Sequence, residues 1–380
     1  MTHEELQSRT ISYLRFPLTL LVIMAHFNVA ERGFMYHGVE YCTDRPDWFI
    51  WLTNLFSEVM PKNIVPVFFI ISGYLFFFRS EFNGSVYRQK LRKRVRTLLI
   101  PYLLWNLIPI LIHVLYLLPF AFHQTVSEEI HITPIRLFHT FFANYPNEGI
   151  FVVPGLDTSG SSGFPYPVNL PMWYVRELMV MVLLSPVVFW LIQRMGKWII
   201  MLLGLVYFFY YPLVMPEGSW GVLLSQAAFF FTCGAYCGIH RINFVVALKR
   251  FTFVPLLYLV IACIDALTKG AVYNLYILQA DVLLGTVAAI VIAARLIEQG
   301  RVHVNQTLAN SSFFVYALHT CVLFEVSKIV FIVFRLGDNV WSMLILYVAT
   351  PLFTAALCVA LYLLLKRFVP SLCDLLTGGR

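Results

Sequence analysis

"SMLILYVATPLFTAALCVALYLLL", Ser342 to Leu365, decides the fold class. These residues carry no charge and show none of the polar–apolar alternation that a membrane β-barrel strand needs. The run is long enough to cross a bilayer as a helix, which takes about 20 apolar residues. Hydrocarbon offers no partner to an open N–H or C=O, so a spanning segment that is not a barrel strand must be an α-helix. Similar runs recur from end to end. Of the 380 residues, 59% are hydrophobic and 12% charged, about half the charge of a soluble domain. The chain reads as an all-α, polytopic integral membrane protein, one membrane-embedded domain over 1–380. Ten spans are expected, at about 10–30, 63–79, 97–118, 171–192, 197–213, 221–239, 252–268, 274–295, 309–333 and 341–365. The first run lacks a cleavage site and reads as a retained span rather than a signal peptide.

With the N-terminus placed in the cytoplasm, eighteen of the 27 Lys and Arg fall in inside segments and six outside. This bias puts both termini in the cytoplasm. The pI near 9 is then a matter of topology, and nucleic acid is not an expected partner. The longest outside connection, about 119–170, contains "PNEGIFVVPGLDTSGSSGFPYP"; a long Gly-, Ser- and Pro-rich connection is commonly functional. Within it, 131–145 has the composition of a short interfacial helix. Seven cysteines, most inside apolar runs and without metal-ligand spacing, read as packing residues; no disulfide and no metal is expected.

The first span holds "RFPLTLLVIMAH", Arg15 to His26. Eleven residues advance an α-helix by about 16 Å and turn it three times plus about 20°. Arg15 and His26 therefore share a face at different depths, Arg15 toward the cytoplasmic end. That spacing suits a ligand lying along the helix with its anionic end at Arg15 and its reacting group at His26. The plain structural alternative is a snorkelling arginine and an interfacial histidine.

Four further stretches follow in order: "VPVFFIISGYLFF" (65–77), "KRVRTLLIPYLLW" (93–105), "LPMWYVRELMVMVLLSP" (170–186) and "SSFFVYALHTCVLF" (311–324). With the Arg-x10-His spacing they resemble acyltransferase family 3, membrane-embedded O-acyltransferases, commonly O-acetyltransferases, that modify extracytoplasmic glycans. The resemblance runs from the first expected span to the ninth. It implies acyl-CoA, acetyl-CoA in the first instance, as cytoplasmic donor substrate and an outward-facing or lipid-linked sugar hydroxyl as acceptor. The location it implies is a bacterial inner (plasma) membrane.

The basic segment 79–96 carries seven Lys and Arg against one acid. Topogenic charge explains part of this, and capture of CoA phosphates would use the same groups. The family pattern there is Arg-x-x-Arg; Lys93 and Arg96 are the fitting positions, with lysine in the first place losing bidentate geometry. Ser72 is a candidate donor to a thioester carbonyl, and Gly73 a helix-packing residue. Trp173 and Tyr174 read as an aromatic belt and as acceptor contacts. Glu177 is placed to hold His26 in one tautomer. Arg176 is placed to bind the acceptor or an oxyanion, and adjacent helical positions diverge by about 100°, so the two are expected to have different partners. His319, too deep to snorkel, and Tyr316, three residues before it, are expected to line the cavity. Glu325 and Lys328 are spaced to neutralise one another, and Asp265 and Asp281 read as interfacial.

Together these residues predict acyl transfer with His26 as general base. A transporter or polysaccharide exporter is the competing class; it predicts inverted repeats and paired broken helices, which the sequence does not display. A membrane sensor or scaffold would need no aligned Arg–His pair. Membrane lipid and a second copy of the chain are the other expected partners.

Overall fold

A computed structural model describes residues 1–41, 43–79, 81–121, 134–142, 166–210 and 220–379. Much of the 119–170 connection, including 143–165, lies outside the described residues. The described chain is helical apart from a small antiparallel hairpin, β1 (Phe34–Tyr36) and β2 (Val39–Tyr41).

Besides the short helices Val29–Arg32 and Phe244–Leu248, the helices are α1 (His3–Ala25), α2 (Asp47–Phe77), α3 (Gly84–Arg94 running through a wide turn Val95–Leu99 into Ile100–Ala121), α4 (Pro134–Phe142), α5 (Trp173–Leu183), α6 (Ser185–Met195), α7 (Lys197–Leu205), α8 (Trp220–Ile239), α9 (Val254–Thr268), α10 (Asn274–Glu298), α11 (Gln306–Val333), α12 (Val340–Phe368) and α13 (Pro370–Thr377). Among the described residues six helices, α1, α2, α3, α10, α11 and α12, are long and apolar enough to cross a membrane. The bent pair around α5 and α6, 60° apart, supplies a seventh if counted as one span, and α7, α8 and α9 contain shorter apolar stretches. Val340–Phe368 contains the whole stretch from Ser342 to Leu365.

Polar residues set the helix starts. Thr2, Asn83, Asn305 and Asn339 each accept a hydrogen bond from a backbone N–H three residues on, satisfying a donor that the first turn leaves open. Polar contacts between helix ends sort into two groups. Glu4 pairs with Arg79, His3 O accepts from Asn243, and Lys249 pairs with Glu298. The first two join the start of α1 to the residues just after α2 and α8, and the third joins the residues before α9 to the end of α10. At the other pole Lys269, just after α9, meets Glu31 and Glu58, and Thr43 bonds Asp338. The sorting has α1 and α9 running from the first pole to the second and α2, α8 and α10 running back.

The tightest packing joins α2 to α8. A Cβ added at Gly73 would lie 2.1 Å from Phe231 O, and one at Gly234 would lie 2.0 Å from Ile70 O. Only glycine permits that backbone-to-backbone approach. Gly234 and Gly238 are one turn apart on α8, so small residues form a continuous seam. Asp265 and Asp281, expected at the interface, are instead buried, at 3% and 0% exposure; α9 and α10 pack these positions against each other, and Asp265 receives a bond from Asn274.

Candidate active site

α1 presents its Arg15–His26 face inward. Thr19 and Val22, which lie between them on that face, are 2% and 8% exposed, and the Thr19 hydroxyl donates to Arg15 O at 2.8 Å. Arg15 is half-buried, and among the described residues no hydrogen bond or ion pair reaches its guanidinium. The helix ends at His26, whose backbone N–H bonds Ile23 O and Met24 O. Ser57 fixes that end: its hydroxyl donates to Met24 O at 2.7 Å and lies 2.8 Å from the Tyr347 hydroxyl.

His26 Nδ1 lies 2.8 Å from Val22 O. A carbonyl only accepts, so the neutral ring carries its hydrogen on Nδ1 and its lone pair on Nε2. His319 follows the same rule, with Nδ1 at 2.7 Å from Tyr316 O. Its Nε2 lone pair therefore faces His26 Nδ1, at 3.4 Å, with ring centroids 5.0 Å apart and planes 62° apart. His319 is fully buried and stands midway along α11, about 20 Å from its start by helix rise. The result is a pair of imidazoles with matched tautomers, His26 half-exposed in front and His319 behind it.

The chain between Val168 and Met172 sinks into the bundle beside this pair. Asn169 is 1% exposed and Met172 is completely buried. Tyr316 donates its phenol to Pro171 O. Tyr174 is not a belt residue: its hydroxyl is 3.1 Å from Ser72 Oγ, and its ring packs edge-on against Phe69 at 4.9 Å and Tyr316 at 6.4 Å. The reason is local. Pro171 and a 3-10 turn over Leu170–Met172 start α5 deep rather than at the surface. Trp173 is half-buried beside Tyr166.

Arg176 and Glu177 depart from expectation. They pair with each other, Arg176 Nε and Nη2 both donating to Glu177 Oε1 at 3.0 and 2.8 Å. Among the described residues every hydrogen bond and ion pair of Glu177 goes to Arg176, so His26 is held by Val22 O and His319 and not by Glu177. A long guanidinium folds back across the 100° between neighbours, and burial to 4% leaves the carboxylate no water to face. Arg176 Nη1 also donates to Phe142 O, and Tyr102 donates to Phe141 O. These groups clamp the C-terminal end of α4, where open carbonyls and the helix dipole favour a cation.

Lys93 and Arg96 are exposed on α3. The cations turned toward the protein are Lys90, which donates to Phe76 O and sits 4.7 Å over the Phe76 ring, and Arg94, 5.8 Å from the same ring. Their four-residue spacing on the basic helix was the available signal. Arg94 also interacts electrostatically with Tyr174. Sequence reasoning also passed over Asn106 and Asn169, single asparagines whose burial only the fold reveals.

Residues 9–363 match the family described as an acyltransferase domain, acyltransferase family 3. The succinoglycan biosynthesis protein ExoH of Rhizobium meliloti (strain 1021) is 27% identical over 344 residues, covering 87% of this chain and 82% of that protein. No solved structure matches. A match over nearly the whole length, spanning both histidines and every segment around them, makes this chain a member of acyltransferase family 3.

Proposed function

We propose that the protein transfers an acyl group, acetyl in the first instance, from cytoplasmic acyl-CoA to a hydroxyl of an extracytoplasmic or lipid-linked glycan. It does so from ten spans with both termini in the cytoplasm of a bacterial plasma membrane. The observation that carries this reading is the imidazole pair: His26 has its lone pair on Nε2 and its Nδ1–H between Val22 O and His319 Nε2.

In this reading the CoA phosphates meet Arg15 and the basic helix with Lys93 and Arg96, joined by Lys90 and Arg94. The pantetheine arm follows the Arg15–Thr19–Val22–His26 face. His26 Nε2 takes the proton from the sugar hydroxyl as its oxygen attacks the thioester carbonyl. The tetrahedral oxyanion collapses, the C–S bond breaks, and the imidazolium returns the proton to the CoA thiolate. The products are an O-acyl ester and free CoA. General-base help of this kind is worth about 10²–10⁴-fold. In this reading Ser72 and Tyr174, whose hydroxyls are 3.1 Å apart, donate to the oxyanion. The named role of ExoH in succinoglycan biosynthesis supports a polysaccharide acceptor.

The test is purified protein in detergent or nanodiscs with radiolabelled acetyl-CoA and host glycan. Label in the glycan, lost in His26→Ala with acetyl-CoA still bound, is the expected result. Wild-type turnover by His26→Ala would reject His26 as the base.

A further inference from the structure

Every polar group of Asn169 is engaged. Its backbone N–H donates to Asn106 Oδ1 at 3.0 Å and its C=O accepts from Met172 N at 2.9 Å. Its side-chain amide donates to Trp105 O at 2.9 Å and to Ala317 O at 3.0 Å, and its Oδ1 accepts from the Thr320 hydroxyl at 3.1 Å. Ala317 and Thr320 straddle His319 on α11. Asn106, fully buried, is itself held by Tyr102 O at 2.8 Å. Trp105, 1% exposed, donates its indole N–H to Leu376 O at 2.9 Å, so α13 at the C-terminus is tied into the same network. A single amide thus joins α3, the sunken segment before α5, and the turn of α11 that carries His319.

The contact between His319 Nε2 and His26 Nδ1 is 3.4 Å long, near the limit of a hydrogen bond, so a displacement of a few tenths of an ångström breaks it. We propose that Asn169 is a positioning residue for catalysis: with Thr320 it locks the His319 turn, keeping the His319 lone pair opposite His26 Nδ1–H, where it adds to Val22 O in holding the ring and supports the positive charge that His26 gains on taking a proton. This rests on the reading of His26 as the general base. Misplacing a supporting group by about 1 Å costs on the order of 10²-fold in rate, and the cost falls on turnover because donor contacts lie elsewhere.

The experiment compares Asn169→Ala, Thr320→Val and Thr320→Ser with His26→Ala, measuring kcat, KM for acetyl-CoA, the pH–rate profile and thermal stability of the full chain. Asn169→Ala and Thr320→Val are expected to lower kcat about ten- to a hundred-fold. KM should stay within about twofold, and the acidic limb of the pH profile should move. Thr320→Ser, which keeps the hydroxyl, should restore all three. Thr320→Val keeps the side-chain shape, so it carries the test if Asn169→Ala does not accumulate. Wild-type kcat and an unmoved pH profile in Thr320→Val, with or without a lower melting temperature, would overturn the positioning role. If His26→Ala is inert while Thr320→Val is unimpaired, only this inference falls; if His26→Ala turns over normally, the reading beneath it falls.

Discussion

The seam between α2 and α8 and the sunken segment from Asn169 to Glu177 lie in the same bundle and bury backbone in opposite ways. At the seam, Gly73, Gly234 and Gly238 remove side chains until two helices touch through their backbones. In the segment, polar side chains are added until open backbone groups are matched: Asn169 serves Trp105 O and Ala317 O, Tyr316 serves Pro171 O, and Arg176 serves Phe142 O. The seam keeps a regular helix on each side. The segment gives up regularity and in exchange brings Ser72, Tyr174, Tyr316 and the histidines together. A membrane interior tolerates irregular backbone only where protein satisfies it, and here that irregular stretch lies at the candidate site.

This contrast separates effects on turnover from effects on folding. The largest effect on turnover is expected from His26→Ala: a fall of about 10²–10⁴-fold in acyl transfer, with an unchanged melting temperature. The largest effect on folding is expected inside the segment. Glu177→Ala leaves a buried guanidinium without its carboxylate, a loss of about 3–5 kcal/mol, read as a drop in melting temperature and in yield of folded protein. A double Arg176→Leu, Glu177→Leu variant should recover part of that stability, since an apolar pair of similar volume often replaces a buried ion pair without loss. It should not recover full activity, because α4 loses its clamp at Phe142 O. If Glu177→Ala were inert toward stability and damaging only to turnover, Glu177 would act on the chemistry directly.

The seam comes next. Gly73→Ala adds a Cβ 2.1 Å from Phe231 O, and overpacking of this kind costs about 1–3 kcal/mol. It is partly offset by the better helix propensity of alanine, about 1 kcal/mol. The helices must part by about an ångström to bring that contact above 3 Å, so Ser72 moves with them and its 3.1 Å contact with Tyr174 lengthens. The expected outcome is a lower melting temperature with activity partly kept. Unchanged stability would mean that the two helices are not in backbone contact.

Much of this was legible in residues 342–365 and 15–26. Apolar run length gave helices, and a spacing of eleven put Arg15 and His26 on one inward face, because both rest on helix geometry alone. What the sequence did not disclose depends on chain paths between elements. Trp173 and Tyr174 after a proline look like a belt at a span end, yet the 3-10 turn at Leu170–Met172 carries Tyr174 inward to Ser72. The 100° between Arg176 and Glu177 argued for separate partners, yet one long side chain closes that gap when no water is present to take its place. Nothing local marks Asn169 as different from any other asparagine, since its role consists of contacts to residues 64 and 148 positions away.

The smallest effect belongs to the second ion pair, and it tests why Arg176 and Glu177 matter. Lys328 Nζ and Glu325 Oε1 are 2.8 Å apart, as close as Arg176 and Glu177, but their side chains are 45% and 70% exposed against 4% and 5%. Distance alone would make the two pairs equal. Exposure makes them unequal, because water or lipid headgroups compensate either charge when its partner is removed, and such pairs contribute about 0–1 kcal/mol. Glu325→Ala should therefore leave melting temperature and turnover within error of wild type. A loss approaching that of Glu177→Ala would mean that this part of α11 is covered in the membrane-embedded protein, and that burial does not separate the two pairs.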